Sequence, residues 1–209
     1  MIRNLVFDFG GVIADFDFQQ ALAAFARIGL KNPTEYLDSY HQRDFFMMLE
    51  SGAIDADEFV RRLNECSDRP VSYADAREAW MEFFLLPVPA ERLAMLEELR
   101  RDYRLYVLSN TNPFVMSWAR SSEFTPAGKP LEAYFDRLYL SCEMKCMKPD
   151  RAIFDRMAAD AGLIPSETIY VDDSRTNADA GAALGYRVLC PKSNSDWRGE
   201  LKAMLAAER

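Results

Sequence analysis

Residues 5–17 read LVFDFGGVIADFD. The apolar run Leu5, Val6, Phe7 has the character of a strand covered on both faces, yet it stops on a carboxylate, Asp8, with Gly10 and Gly11 close behind. In open parallel sheets the ligand crevice lies beyond the carboxyl ends of the strands, so a buried strand ending on a charge beside a pliable turn is a candidate edge of such a crevice.

Further β-branched or aromatic runs lie at residues 105–108, 137–140, 168–171 and 186–189. Helical periodicity fills the gaps between them. Residues 91–101 space Leu93, Leu96 and Leu99 three apart, and residues 150–161 carry Ile153, Phe154, Met157 and Ala161 before Gly162, a helix-ending residue. Strand alternating with helix predicts an α/β fold built on a doubly wound parallel sheet. Residues 18–86 interrupt that alternation with four helical patterns, at 19–28, 33–49, 56–66 and 73–84, separated at Gly29, Ser51-Gly52 and Asp68-Arg69-Pro70. The expected division is a core of residues 1–17 and 87–209, with a small helical bundle, residues 18–86, inserted after the first strand. The aromatics and methionines Phe45, Phe46, Met47, Met48, Phe83 and Phe84 read as that bundle's own core.

Composition narrows the function. A formal net charge of −8 argues against a nucleic-acid surface. It also means that local cations must overcome the overall field before an anionic substrate can bind. No apolar run is long enough to cross a membrane, and the N-terminus lacks the pattern of a secretory signal, so the expected location is the cytoplasm. Cys66, Cys142, Cys146 and Cys190 form no disulfide or zinc framework, and free thiols are expected.

Polar residues gather at the predicted strand ends. The first strand ends at Asp8, the second in LSNTN (108–112) and the fourth in VDDSRTN (171–177), while MKPD (147–150) follows the third. Any one aspartate there could be a helix cap. Together, Asp8, Asp172 and Asp173 would share one crevice, and clustered carboxylates repel unless a proton or cation intervenes. An all-oxygen set without histidine or cysteine suits a hard cation such as Mg²⁺. Lys148 and the Ser109 hydroxyl would bring a positive charge and a hydrogen-bond donor to the same place, with Asn110 and Asn112 on the adjoining loop as further phosphate- or substrate-binding candidates. Such a site suits phosphoryl chemistry: Asp8 attacks phosphorus while cation and lysine neutralise developing oxygen charge.

DFGGV, LSNTN, MKPD and VDDSRTN, in that order, resemble the four motifs of the haloacid dehalogenase-like hydrolase superfamily, and the resemblance covers the whole chain. It implies a Rossmann-like hydrolase core, a helical cap of the family's first type, and a small phosphorylated metabolite as substrate of a monomer or weak homodimer. Details such as VLSNTN and DDSRTNADAGAALG look most like a branch of small bacterial sugar-phosphate phosphatases that includes α-glucose-1-phosphate phosphatase. Carried onto this sequence, Asp8 is the nucleophile, Ser109 and Lys148 hold the phosphoryl group, Asp173 is the main metal carboxylate with Asp172 beside it, and Gly10 offers the metal its backbone carbonyl.

One feature departs from the family pattern. Most of its phosphatases carry an aspartate two places after the nucleophile, as acid and base for the leaving group and water; here that place is Gly10. Three readings stay open: a phosphatase whose substrate leaves easily, a dehalogenase, or a weak or inactive member that binds a phosphate ligand. Asp15 and Asp17 are near enough in sequence to stand in for the acid, although capping or solvated roles suit them better. Substrate selection is expected from the cap, where His41 and Arg43 lie in the polar patch YHQRD (40–44), while Trp80 and Trp118 fit core packing better than ligand stacking.

Overall fold

The computed structural model describes residues 1–38 and 42–208. Five strands, β1 (Asn4–Phe7), β2 (Arg104–Ser109), β3 (Arg137–Leu140), β4 (Thr168–Val171) and β5 (Arg187–Leu189), form one sheet in the order β3-β2-β1-β4-β5. Every pairing is parallel, with Phe7 opposite Val107 on one side and Val171 on the other. The ends of β1, β2 and β4 are therefore level, and the order reverses at β1. A crevice opens where connections leave in opposite directions. Asp8 is the first residue beyond the central strand.

Ten α-helices among the described residues follow in chain order: α1 (Phe18–Arg27), α2 (Asp44–Glu50), α3 (Ala56–Glu65), α4 (Tyr73–Met81), α5 (Ala90–Leu99), α6 (Pro113–Ala119), α7 (Ser141–Met144), α8 (Arg151–Ala161), α9 (Arg175–Ala183) and α10 (Arg198–Ala207). Strand periodicity sorts the core into two. Leu5, Phe7, Leu105, Val107, Ile169 and Val171 pack with α5 and α10, while Val6, Tyr106, Leu108 and Tyr170 face Ile153, Phe154 and Met157 of α8. Helices thus cover both faces, which is why the strands read as continuous apolar runs.

Helices α1 to α4 pack around Phe25, Phe46, Phe59 and Trp80, whose rings lie 4.9–6.1 Å apart. We propose that residues 18–86 act as a cap joined to the core by two strands of linker. The Asp17 amide donates to the Phe83 carbonyl and the Leu85 amide to the Asp15 carbonyl, while the Phe16 and Phe83 rings stack at 4.9 Å. Asp17 also caps α1, accepting from the amides of Gln19 and Gln20.

The single helical pattern expected at 33–49 is not one helix. A 3₁₀ turn spans Pro33–Glu35, after Asn32 in the left-handed region (φ 48°), and α2 begins only at Asp44. Gln42 spends both its amide atoms on the Asp38 main chain, and the Arg43 amide donates to the Tyr36 carbonyl, while residues 39–41 of this pattern lie outside the described residues. The last cap helix also stops short, at Met81 rather than Phe84, leaving Phe83 for the linker stack.

Candidate active site

The turn after β1 is shaped by its second glycine. Gly11 has φ +75°, and a Cβ there would lie 2.3 Å from Asp173 Oδ2 and 2.7 Å from Ser193 Oγ. No side chain fits without displacing that carboxylate. Gly10 differs from expectation: a Cβ there would meet Phe16 at an ordinary 3.6 Å, so neither turning nor crowding at Cβ demands glycine. The missing acid at this position is a chemical difference, not a consequence of a backbone that excludes side chains.

Lys148 organises the centre. Its Nζ lies 2.9 Å from Asp8 Oδ1, 2.7 Å from Asp172 Oδ2 and 2.8 Å from the Leu108 carbonyl, so its three N–H bonds are all directed. The side chain is buried, which works against its charge, but Asp172 and Asp8 outweigh burial and its pKa is raised. The lysine stays charged. Asn110 fixes its main chain, since Asn110 Nδ2 donates to the Lys148 carbonyl (2.9 Å) and the Lys148 amide donates to Asn110 Oδ1 (2.8 Å). The Asn110 side chain therefore positions the lysine and is not free to grip a phosphate.

Asp8, Asp172 and Asp173 each offer an oxygen within 4.8 Å of the others. Their surroundings differ. Asp172 is fully buried and saturated, with Lys148 and the Tyr170 hydroxyl on Oδ2, the Ser174 amide on Oδ1 at 2.9 Å, and Asn177 Nδ2 at 3.3 Å from both. Asp173 Oδ2 is buried with no well-aligned hydrogen-bond partner among the described residues. Burial raises the Asp173 pKa, the nearby Ser193 hydroxyl opposes this, and the Asp172 charge adds to the rise. For Asp8, burial is the largest influence, opposed by Lys148 and reinforced by Asp172 and Asp173, and the carboxyl is pushed up to about 8. A carboxyl that holds its proton at neutral pH, beside a buried carboxylate oxygen, makes a site suited to a cation. The all-oxygen donors fit Mg²⁺.

Ser109, the last residue of β2, lines the same pocket, and its hydroxyl makes only a long 3.3 Å bond to the Asn110 carbonyl. Asn112 lines it too, but its Oδ1 caps α6 by accepting from the amides of Phe114 and Val115. Opposite stand the side chains of Phe16, Trp80, Phe83 and Phe84 from the linkers and cap. Trp80 is 2% exposed, yet its Nε1 has no partner among the described residues. Trp118 is core, donating from Nε1 to the Glu123 carbonyl and packing on Phe84 at 5.4 Å. Arg43 pairs with Asp38 at 3.8 Å on an exposed face, and His41 lies outside the described residues.

Neither candidate stand-in acid is available. Asp15 is ion-paired at 2.6 Å with the buried Arg92, which also holds the carbonyls of Ile13, Asn194 and Ser195. Asp17 is the α1 cap. The pocket residue that sequence reasoning missed is Glu50, at the end of α2. Its signal was present: Phe45, Phe46, Leu49 and Glu50 form one buried helix face, and a glutamate there is out of place.

Residues 2–185 match the family model described as haloacid dehalogenase-like hydrolase. A D-ribitol-5-phosphate phosphatase of Bacteroides thetaiotaomicron is 46% identical over 205 residues, covering 98% of this chain and 99% of the relative. Among solved structures, a haloacid dehalogenase-like family hydrolase of Porphyromonas gingivalis superposes with a TM-score of 0.93 at 36% identity, covering 98% of both chains. An enzyme of the same family from Bacteroides thetaiotaomicron, solved as an aspartate-to-alanine mutant with magnesium and inorganic phosphate, gives a TM-score of 0.90 at 33% identity, covering 96% of this chain and 99% of that one.

Proposed function

The chain belongs to the haloacid dehalogenase-like hydrolase family, and from that membership we propose that it cleaves the terminal phosphate ester of a small open-chain polyol or sugar, with D-ribitol 5-phosphate the first candidate. It is a magnesium-dependent phosphatase acting on a small phosphorylated metabolite. The observation that supports phosphatase chemistry is the meeting of Asp8, Asp173, Lys148 and Ser109 in one pocket, and the polyol reading rests on the 46% identical relative.

Asp8 attacks phosphorus through its carboxylate. The bond from phosphorus to the ester oxygen breaks, the alcohol leaves, and water then cleaves the aspartyl phosphate to regenerate Asp8. Lys148 sits against the Asp8 oxygen and neutralises charge on the phosphoryl oxygens, and Ser109 exchanges its long bond to the Asn110 carbonyl for one of them. Asp8, Asp173 and the Gly10 carbonyl are the groups that would hold magnesium, which when bound supplies positive charge to the nucleophile and the phosphoryl group. Asp172 holds Lys148 and is not itself needed as a ligand. The aromatic wall excludes bulk water from the acyl phosphate, and cap opening releases the products.

Four free cysteines support a reducing compartment such as the cytoplasm, and no helix among the described residues is long and apolar enough to cross a membrane. We take the working form as a monomer or weak homodimer. A panel of polyol and sugar phosphates, assayed for phosphate release with Mg²⁺ and with Asp8→Asn as control, tests the substrate. D-Ribitol 5-phosphate should rank among the best by kcat/KM. Strong preference for anomeric or acyl phosphates would overturn the polyol reading.

A further inference from the structure

A polyol phosphate ester sets a problem that an easily departing substrate would not. Its leaving oxygen is a primary alkoxide, which departs slowly unless a proton reaches it as the bond to phosphorus breaks. Gly10 has no side chain to deliver one, Asp15 is held by Arg92, and Asp17 caps a helix. Lys148 spends all three N–H bonds on Asp8, Asp172 and the Leu108 carbonyl.

Glu50 remains. It is 8% exposed, lines the pocket with Asp8 and Lys148, and no hydrogen bond or ion pair reaches its carboxyl among the described residues. It lies outside the carboxylate cluster of Asp8, Asp172 and Asp173. Its main chain is pinned to the core: the Ser141 hydroxyl donates to the Glu50 carbonyl at 2.6 Å, and a Cβ on Gly52 would come within 2.1 Å of the Cys142 carbonyl. The carboxyl thus belongs to the cap yet is referenced to the sheet. In an in-line displacement the leaving group departs opposite the nucleophile, and Glu50 reaches the shared pocket from α2, a different element from the β1 end that carries Asp8.

We propose that Glu50 replaces the absent acid, giving a proton to the departing alkoxide and then taking one from the water that cleaves the aspartyl phosphate. The balance closes. As Asp8 bonds to phosphorus, the ester electron pair moves to the leaving oxygen, which takes the Glu50 proton and leaves as the alcohol. Water then attacks phosphorus and gives its proton to the Glu50 carboxylate, the electron pair of the acyl bond returns to Asp8, and inorganic phosphate departs. Burial pushes the Glu50 carboxyl up to about 8, Asp8 adds to this and Lys148 opposes it, so the acid form is present at neutral pH. The other titratable group that feels its charge is the Cys142 thiol, on α7.

This rests on the phosphatase reading but not on which ester is used, and the test separates the two. Glu50→Gln is compared with the wild type on alkyl phosphates (D-ribitol 5-phosphate, glycerol 3-phosphate) and on p-nitrophenyl phosphate, whose leaving group needs no proton. The expected result is a fall of about 10²- to 10⁴-fold in the single-turnover rate of alcohol release from the alkyl esters, with the p-nitrophenol burst changed by no more than about threefold, while cleavage of the shared aspartyl phosphate slows after either ester. Mg²⁺ affinity by titration calorimetry should hold. Equal loss in the two first-turnover rates, a change in KM alone, or loss of Mg²⁺ binding would overturn the role. If Glu50→Gln fails to fold, Glu50→Asp reads the same alkyl-to-aryl ratio. A wild-type enzyme that ignores D-ribitol 5-phosphate while glycerol 3-phosphate shows the Glu50 pattern removes the substrate assignment and keeps the acid.

Discussion

Asp172 and Asp173 are neighbours in sequence with opposite surroundings. The first is saturated by Lys148, Tyr170, Ser174 and Asn177, and the second has a buried oxygen with no well-aligned partner among the described residues. Asp173→Asn should therefore lower Mg²⁺ affinity and, with it, activity. Asp172→Asn should leave Mg²⁺ affinity nearly intact but remove a buried countercharge of Lys148, costing about 3 kcal/mol of stability along with most of kcat. Calorimetry and thermal unfolding of the two variants check the contrast; equal loss of Mg²⁺ binding would contradict it. Asp15→Asn is the control at this scale. Arg92 keeps three carbonyl partners, so the expected loss is on the order of 1 kcal/mol in thermal unfolding, with kcat largely retained. The strand-end residues that gather here were legible in the sequence because parallel strands bring their carboxyl ends level. What each oxygen touches was not, since Lys148, which meets Asp8, Asp172 and the Leu108 carbonyl, comes from a distant segment of the chain.

Among elements, the strands were legible almost to the residue, because four-residue apolar runs between helical segments have few other readings. The second and fifth shift slightly: β2 takes in Arg104 and Ser109, and β5 begins at Arg187. The cap was harder. Apolar spacing over 33–49 suggests one helix, whereas the described residues hold a 3₁₀ turn at Pro33–Glu35, Gln42 bonds to the Asp38 main chain, and a helix that starts at Asp44. That division makes α2 a short helix whose last residue, Glu50, reaches the site. Gly52 sets its place, with φ +69° and the Cys142 carbonyl where a side chain would go. Gly52→Ala should cost about 2–4 kcal/mol in thermal unfolding, combining a left-handed backbone with steric overlap. It should also lower the single-turnover release of alcohol from alkyl phosphates more than that of p-nitrophenol from p-nitrophenyl phosphate, because the end of α2 must move away from the sheet. A stability loss with an unchanged alkyl-to-aryl ratio would show that this contact does not position Glu50.

For the whole molecule, the energetic question is how a chain of net charge −8 binds a phosphate dianion in a pocket lined by Asp8, Asp173, Glu50 and Lys148, with Asp172 buried behind the lysine. Protons and magnesium share the task. The Asp8 and Glu50 carboxyls, both pushed up to about 8, hold protons in the folded protein that the unfolded chain releases near its ordinary carboxylate range. Between those limits the native state binds more protons, so the metal-free protein loses stability as pH rises. Mg²⁺ takes the place of the Asp8 proton, and less competition remains at higher pH. Its stabilising effect must therefore grow in the same direction. Thermal unfolding from about pH 6 to about pH 8.5 checks both slopes, since ordinary carboxylates have finished titrating below that window. In chelator the midpoint should fall with pH, and saturating Mg²⁺ should raise it by an increment that widens with pH. A magnesium increment independent of pH would mean that Asp8 enters the site already ionised, leaving Lys148 alone to hold the nucleophile ready before the cation arrives.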